Sequence, residues 1–123
     1  MKTILIVEDE TILREVLGEL LIDCGYQVLT SSSGWQALDV LKTNNPDAIL
    51  MDVMMPGMDG RDLYNEVRKL PSAGAVPIIM MSAIIRPSQL DPGIAAFVAK
   101  PFDLDTMLAT IERIVTEPPA DHH

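Results

Sequence analysis

The sequence predicts an α/β fold, a doubly wound parallel sheet of five strands with helices on both faces, on three observations. Five short apolar runs alternate with segments of helical periodicity. Several of these runs are apolar throughout rather than at every second residue, which is how strands covered on both faces read. The 123 residues suffice for one ordinary core and are too few for two. Successive parallel strands need crossovers of helix length, and the alternation supplies them.

The first run, Thr3 to Val7, follows directly on Met1-Lys2. Ile12, Leu13, Val16, Leu17, Leu20, Leu21 and Cys24 then recur at helical spacing, with Gly25 as a stop. Cys24 is the single cysteine and is read as a small buried member of that stripe, without a catalytic role. Gln27 to Leu29 is the second strand. A helix from about Ser33 to Thr43 follows, capped by serine, with Ala37, Leu38 and Leu41 inward and Asn45-Pro46 ending it. Ala48 to Met51 is the third strand, after which Asp59 can cap a helix carrying Leu63, Val67 and Leu70. Val76 to Met81 and Ala96 to Ala99 are the remaining strands. Asp103 can cap a last helix carrying Leu104, Met107, Leu108, Ile111, Ile114 and Val115. Trp35 and Tyr64 are assigned to packing or surface contact. Residues 1–117 are expected to form the domain, and 118–123 a disordered or tag-derived tail, since the stretch ending in His122-His123 has no periodicity.

Composition excludes several classes of function. The net charge is −9 and the nine Lys and Arg are scattered, which argues against direct nucleic-acid binding. The apolar runs stop far short of the roughly 18 residues a membrane span needs, so no membrane insertion is expected. The first residues lack the apolar region and small-residue cleavage site of a secretory leader, and a cytoplasmic location is expected.

In open parallel sheets, ligands bind beyond the carboxyl ends of the strands near a topological switch point. Glu8 and Asp9 end the first strand, Asp52 the third, Ser82 the fourth and Lys100 the fifth. Each alone reads blandly as a cap, turn or strand-end residue. Converging, three carboxylates repel one another unless a cation sits among them. Oxygen donors suit magnesium, which keeps waters that phosphate oxygens can replace, and no Cys/His set points to zinc. A carboxylate can attack phosphorus while a metal, an ammonium and a hydroxyl stabilise the transferring oxygens, and Asp52, Lys100 and Ser82 match those roles.

With these residues in place, the chain resembles the receiver domains of bacterial response regulators. The resemblance is carried by Ile4-Leu5-Ile6-Val7-Glu8-Asp9-Glu10, by Leu50 to Gly60, by Ile78 to Ala83 and by Phe97-Val98-Ala99-Lys100-Pro101-Phe102, and spans residues 2–116. It implies the CheY-like, flavodoxin-like strand order 2-1-3-4-5. It implies that Asp52 is the phosphoacceptor, that Asp9, Asp52 and the backbone carbonyl of Met54 ligate Mg2+ (or Mn2+), and that Glu8 contributes through water or at the rim. Lys100 and Ser82 would contact phosphate oxygens. Phe97 occupies the family's switch-aromatic position, although ordinary core packing accounts for it equally well. The implied function is a phosphoacceptor switch in a two-component phosphorelay. A histidine kinase or phosphotransfer protein would supply the phosphoryl group, a downstream protein would read the result, and the chain would not be an enzyme acting on other substrates.

The chain departs from that pattern twice. Lys100 follows Ser82 by 18 positions, roughly one helical turn short of the family's spacing. Pro87 and Pro92 lie in the shortened stretch, so a loop or single short turn is predicted in place of a fourth helix before the last strand. Met54 and Ile84, two residues after Asp52 and Ser82, are apolar where they flank the approach of hydrolytic water, which predicts slow autodephosphorylation. Three other readings compete. An aspartyl-phosphate hydrolase lacks its second acid, since Met54 stands where that acid belongs. A phosphorylation-independent interaction scaffold need not retain every acidic, Ser and Lys position. A flavin module is opposed by Glu8-Asp9-Glu10, which would repel phosphate.

Overall fold

The computed structural model describes residues 1–116. The elements are β1 (Thr3–Val7), α1 (Thr11–Asp23), β2 (Gln27–Ser31), α2 (Gly34–Thr43), β3 (Ala48–Asp52), α3 (Gly60–Arg68), β4 (Ile78–Ser82), a one-turn 3-10 helix (Pro87–Gln89), β5 (Ala96–Ala99) and α4 (Leu104–Thr116). The tail assignment falls on residues outside those described. The strands form one parallel sheet in the order β2-β1-β3-β4-β5.

Burial explains the composition of each strand. β3 and β4 are buried along their whole length, and β1 from Ile4 onward, because helices cover both faces of the sheet there. Leu5, Val7, Ile49, Met51 and Met80 face one side and pack on Ala37, Leu41, Leu63 and Val67 of α2 and α3. Ile4, Ile6, Leu50, Ile79 and Met81 face the other and pack on Leu17, Leu21, Met107 and Ile111 of α1 and α4. Strand β2 lies at the edge and is only partly covered.

The helices begin largely where the capping residues predict. Ser33 Oγ accepts the N–H of Gln36 at the start of α2. Asp59 and Asp62 form a reciprocal capping box at α3, with Asp59 Oδ1 accepting the N–H groups of Arg61 and Asp62. Burial opposes ionisation of Asp59, but the Arg61 side chain and these two N–H groups outweigh it and hold the carboxyl below its usual range. A folded-state value below the unfolded one stabilises above about pH 4 and is lost as pH falls through the folded value. Asp59→Ala is therefore expected to cost about 1 kcal/mol at neutral pH, as helix N-caps do. Urea unfolding should show the gap to wild type narrowing as the solution is acidified below the usual carboxylate range, and a gap independent of pH would contradict the assignment.

Three expectations are corrected. Cys24 is exposed, because it forms the C-cap of α1 and lies past the turn that touches the sheet. Ile12 and Val16 are also exposed, since only Leu17, Gly18 and Leu21 of α1 are fully buried, and the apolar stripe is wider than the buried one. Leu104 faces solvent in the first turn of α4, ahead of the point where Met107 meets the sheet. The strand limits also differ slightly: β2 and β3 extend to Ser31 and Asp52, whereas β4 starts at Ile78, after Pro77.

The crossover between β4 and β5 has no α-helix. Arg86 has extended backbone before the single turn, as Pro87 leads one to expect, and Leu90 is extended after it. Leu90 is nevertheless buried in the core shared with α2 and α3. Tyr64 of α3 donates its hydroxyl to Asp91 Oδ1 at 3.1 Å, and the same oxygen accepts the N–H of Gly93 at 2.7 Å. The shortened segment is thus tied down on α3.

Candidate functional site: an acidic cleft at the carboxyl edge

From β1 the chain reaches β2 on one side and later returns to β3 on the other, so β1 and β3 flank the switch point. The ends of these two strands carry Glu8, Asp9 and Asp52, and one carboxylate oxygen of each lies within 4.8 Å of the others. Glu8 and Asp52 are buried, and Asp9 is more open to solvent. Lys100, after β5, reaches back across β4. Its Nζ donates to Asp52 Oδ2 at 3.0 Å and to Glu8 Oε1 at 3.2 Å, and stands 4.0 Å from Glu10 Oε1.

Neighbouring backbone fixes these side chains. Glu8 N–H donates to the Ser31 carbonyl, Glu8 Oε2 accepts the N–H of Glu10, and Arg14 donates to the Glu8 carbonyl. Asp52 Oδ1 accepts the Met54 N–H at 3.3 Å. A Cβ on Gly60 would stand 2.6 Å from the Asp52 carbonyl oxygen, so only glycine lets the start of α3 close on the end of β3. Ser82 is buried, and its hydroxyl oxygen accepts the N–H groups of Ile84 and Ile85 at 3.1 and 2.9 Å. Its own hydrogen remains available to donate.

The cleft is under electrostatic load. Burial pushes Glu8 up to about 7, with the charge on Asp52 adding to the effect and the Glu10 N–H and Lys100 opposing it. Burial also works against the Lys100 ammonium, but its bonds and charge interactions with Asp52 and Glu8 prevail and raise its affinity for the proton. One ammonium faces three clustered carboxylates, and a divalent cation would balance the remainder. The donor set is all oxygen, which fits a hard cation.

The structure therefore gathers Glu8, Asp9, Asp52 and Lys100 in one cleft, with Ser82 closing the neighbouring strand. Met54 and Ile84 are both exposed beside it. Phe97 is partly buried and packs on the core beneath α2 and α3, in register with Met80. Sequence reasoning missed Glu10 and Arg14. The first could have been suspected from its place beside the acidic pair, whereas nothing in the spacing signals that Arg14 grips the Glu8 carbonyl.

Fold and cleft together define a doubly wound α/β domain with a lysine-bridged acidic centre at its switch point. The chain belongs to the response regulator receiver domain family, which matches residues 4–112. It is 35% identical over 118 residues to the DNA-binding transcriptional regulator NtrC of Klebsiella pneumoniae, an alignment covering 90% of this chain and 24% of that protein. With the response regulator MprA of Mycobacterium sp. strain KMS it shares 34% over 116 residues, 91% of this chain and 50% of the relative. The chain thus spans half or less of these relatives' length. Among solved structures, Vibrio cholerae chemotaxis protein CheY4 superposes with TM-score 0.87 at 30% identity, covering 93% of this chain and 98% of the other. The receiver domain of sensor histidine kinase PA1611 from Pseudomonas aeruginosa PAO1 was solved with a magnesium ion coordinated in its active site cleft. It superposes with TM-score 0.86 at 30% identity, covering 94% of this chain and 98% of that one. Among the described residues, no helix is long and apolar enough to cross a membrane.

Proposed function

We propose that this domain is a phosphoacceptor switch of a two-component phosphorelay, taking a phosphoryl group on Asp52 from a histidine kinase or phosphotransfer protein and presenting a changed surface to a downstream protein. The observation that carries this reading is the position of Lys100 Nζ, which bridges Asp52 and Glu8 beside a three-carboxylate cluster. Asp9, Asp52 and the Met54 carbonyl would hold Mg2+, or Mn2+ in its place, with Glu8 contributing through water or at the rim. Bound there, the cation would neutralise charge on the transferring oxygens. The same reading carries with it a cytoplasmic location and no turnover of exogenous phosphate esters.

The protein's own groups account for the remaining chemistry. Asp52 Oδ2 is the nucleophile, and the Lys100 ammonium already stands 3.0 Å from it, ready to meet a phosphate oxygen. The Ser82 hydroxyl can donate to another. If it turns to do so, the N–H groups of Ile84 and Ile85 lose their present acceptor. The segment after β4 then has a reason to move, with Phe97 as the neighbouring aromatic able to repack.

The test is incubation with a small acyl phosphate, with and without Mg2+, followed by intact-mass measurement. One phosphoryl group should be gained only with the cation, and no gain under any divalent cation would sink the proposal. Phosphate loss should then be slow, because Met54 and Ile84 offer hydrolytic water no polar guide. Polar replacements at both positions are expected to speed dephosphorylation several-fold, and an unchanged rate would remove these side chains from that role.

A further inference from the structure

The loop between β3 and α3, Val53 to Asp59, carries the Met54 carbonyl, and its hydrogen bonds lie at its ends. Met54 N–H goes back to Asp52 Oδ1, and Asp59 N–H goes forward to Asp62 Oδ2. Within it Met55 is buried in the core, and beyond Met55 side chains of α2 and the loop bear on one another. Gly57 has φ +78°, and a Cβ built on it would stand 2.5 Å from Trp35 Cη2 and 2.7 Å from Cζ3. The indole edge therefore rests on the Gly57 backbone. The converse holds one residue along: a Cβ on Gly34 would stand 2.6 Å from Met58 Sδ, so the thioether rests on the first turn of α2. Each segment presents a glycine to the other's side chain.

Trp35 gains little from burial in return, being 58% exposed. An indole left largely in water and set edge-on against one glycine contributes modestly to the core. What it does is limit where the backbone around Gly57, beyond the Met55 anchor, can go. Helix α2 is a stable base for this, since Ser33 caps it and Ala37 and Leu41 are buried in the core.

We propose that Trp35 is a positioning residue for the cation site: by bearing on Gly57 it holds the β3–α3 loop so that the Met54 carbonyl is presented to a divalent cation at Asp52 and Asp9. The proposal rests on the reading of the cleft given above. A loop without the Trp35 contact keeps its Met55 anchor but is freer about Gly57 and must be ordered further when the cation binds, so affinity for the cation falls while Asp52 and the Lys100 ammonium stay as they were.

The test compares wild type, Trp35→Ala, Gly57→Ala and the double variant by calorimetric Mg2+ titration, with thermal unfolding alongside. Trp35→Ala should raise the Mg2+ dissociation constant about three- to tenfold, the size of a typical coupling between contacting groups. In acyl phosphate labelling it should raise the half-saturating Mg2+ concentration by the same factor and leave the rate at saturation unchanged. Gly57→Ala suffers both its positive φ and the indole, so its effect on affinity should be smaller when Trp35 is already alanine. Trp35 is the only tryptophan, and its emission in wild type should respond to Mg2+ and not do so in Asp9→Asn. A Trp35→Ala protein with the wild-type Mg2+ constant, whether or not it melts earlier, would overturn the proposal and leave the cleft assignment standing. Absence of Mg2+ binding by wild type would overturn both.

Discussion

Asp52→Asn is expected to abolish phosphoryl uptake, lowering acyl phosphate labelling by more than about a hundredfold at any Mg2+ concentration. Asparagine has nearly the same shape, so Gly60 can still close on the end of β3 and the sheet is undisturbed. What changes is chemical. The amide is not a useful nucleophile, and the carboxylate that accepts from both Lys100 Nζ and Met54 N–H is replaced by one acceptor and one donor group. Removing a carboxylate from the cluster should also weaken Mg2+ binding. Intact-mass measurement after labelling, with circular dichroism to check the fold, decides the matter. A variant that labels like wild type would place the acceptor elsewhere.

Lys100→Ala should have two effects of opposite sign. On the proposed function its ammonium is the donor aimed at the acceptor carboxylate, and removing one such group from a preorganised site should slow transfer about 10²- to 10³-fold. Yet the same ammonium sits between Asp52 and Glu8, 3.0 and 3.2 Å from their oxygens, and so competes with a cation for those carboxylates. Without it, Mg2+ should bind more tightly while phosphoryl transfer at saturating Mg2+ is slower. Calorimetry and labelling on one preparation separate the two. A loss of both affinity and rate would mean that Lys100 organises the cleft rather than acting on the phosphoryl group.

The contrast between what the sequence revealed and what it hid has a physical basis. Strands β1, β3 and β4 are buried on both faces, so they read as unbroken apolar runs, and the first polar residue after each run stands at the sheet's carboxyl edge. That is why Glu8, Asp52 and Ser82 could be placed by inspection. Pro87 and Pro92 announced the missing helix in the same direct way. Helix α1 was harder, because its apolar residues occupy a wider arc than the sheet covers, and periodicity could not distinguish Leu17, which is buried, from Ile12 and Val16, which are not. Contacts between segments remote in the chain were out of reach for a different reason. Tyr64 with Asp91 and Trp35 against Gly57 depend on the packing of elements whose sequence patterns are independent of one another.

The bond from Lys100 to Glu8 joins residues 92 positions apart. Contacts of such sequence separation pay the largest loop-closure cost and form only when the intervening topology is in place. A nascent or partly folded chain lacking β5 has its carboxylates but no ammonium among them. On the function proposed above, fast transfer to Asp52 would therefore be acquired late in folding, once β5 has joined the sheet and brought Lys100 to the cleft.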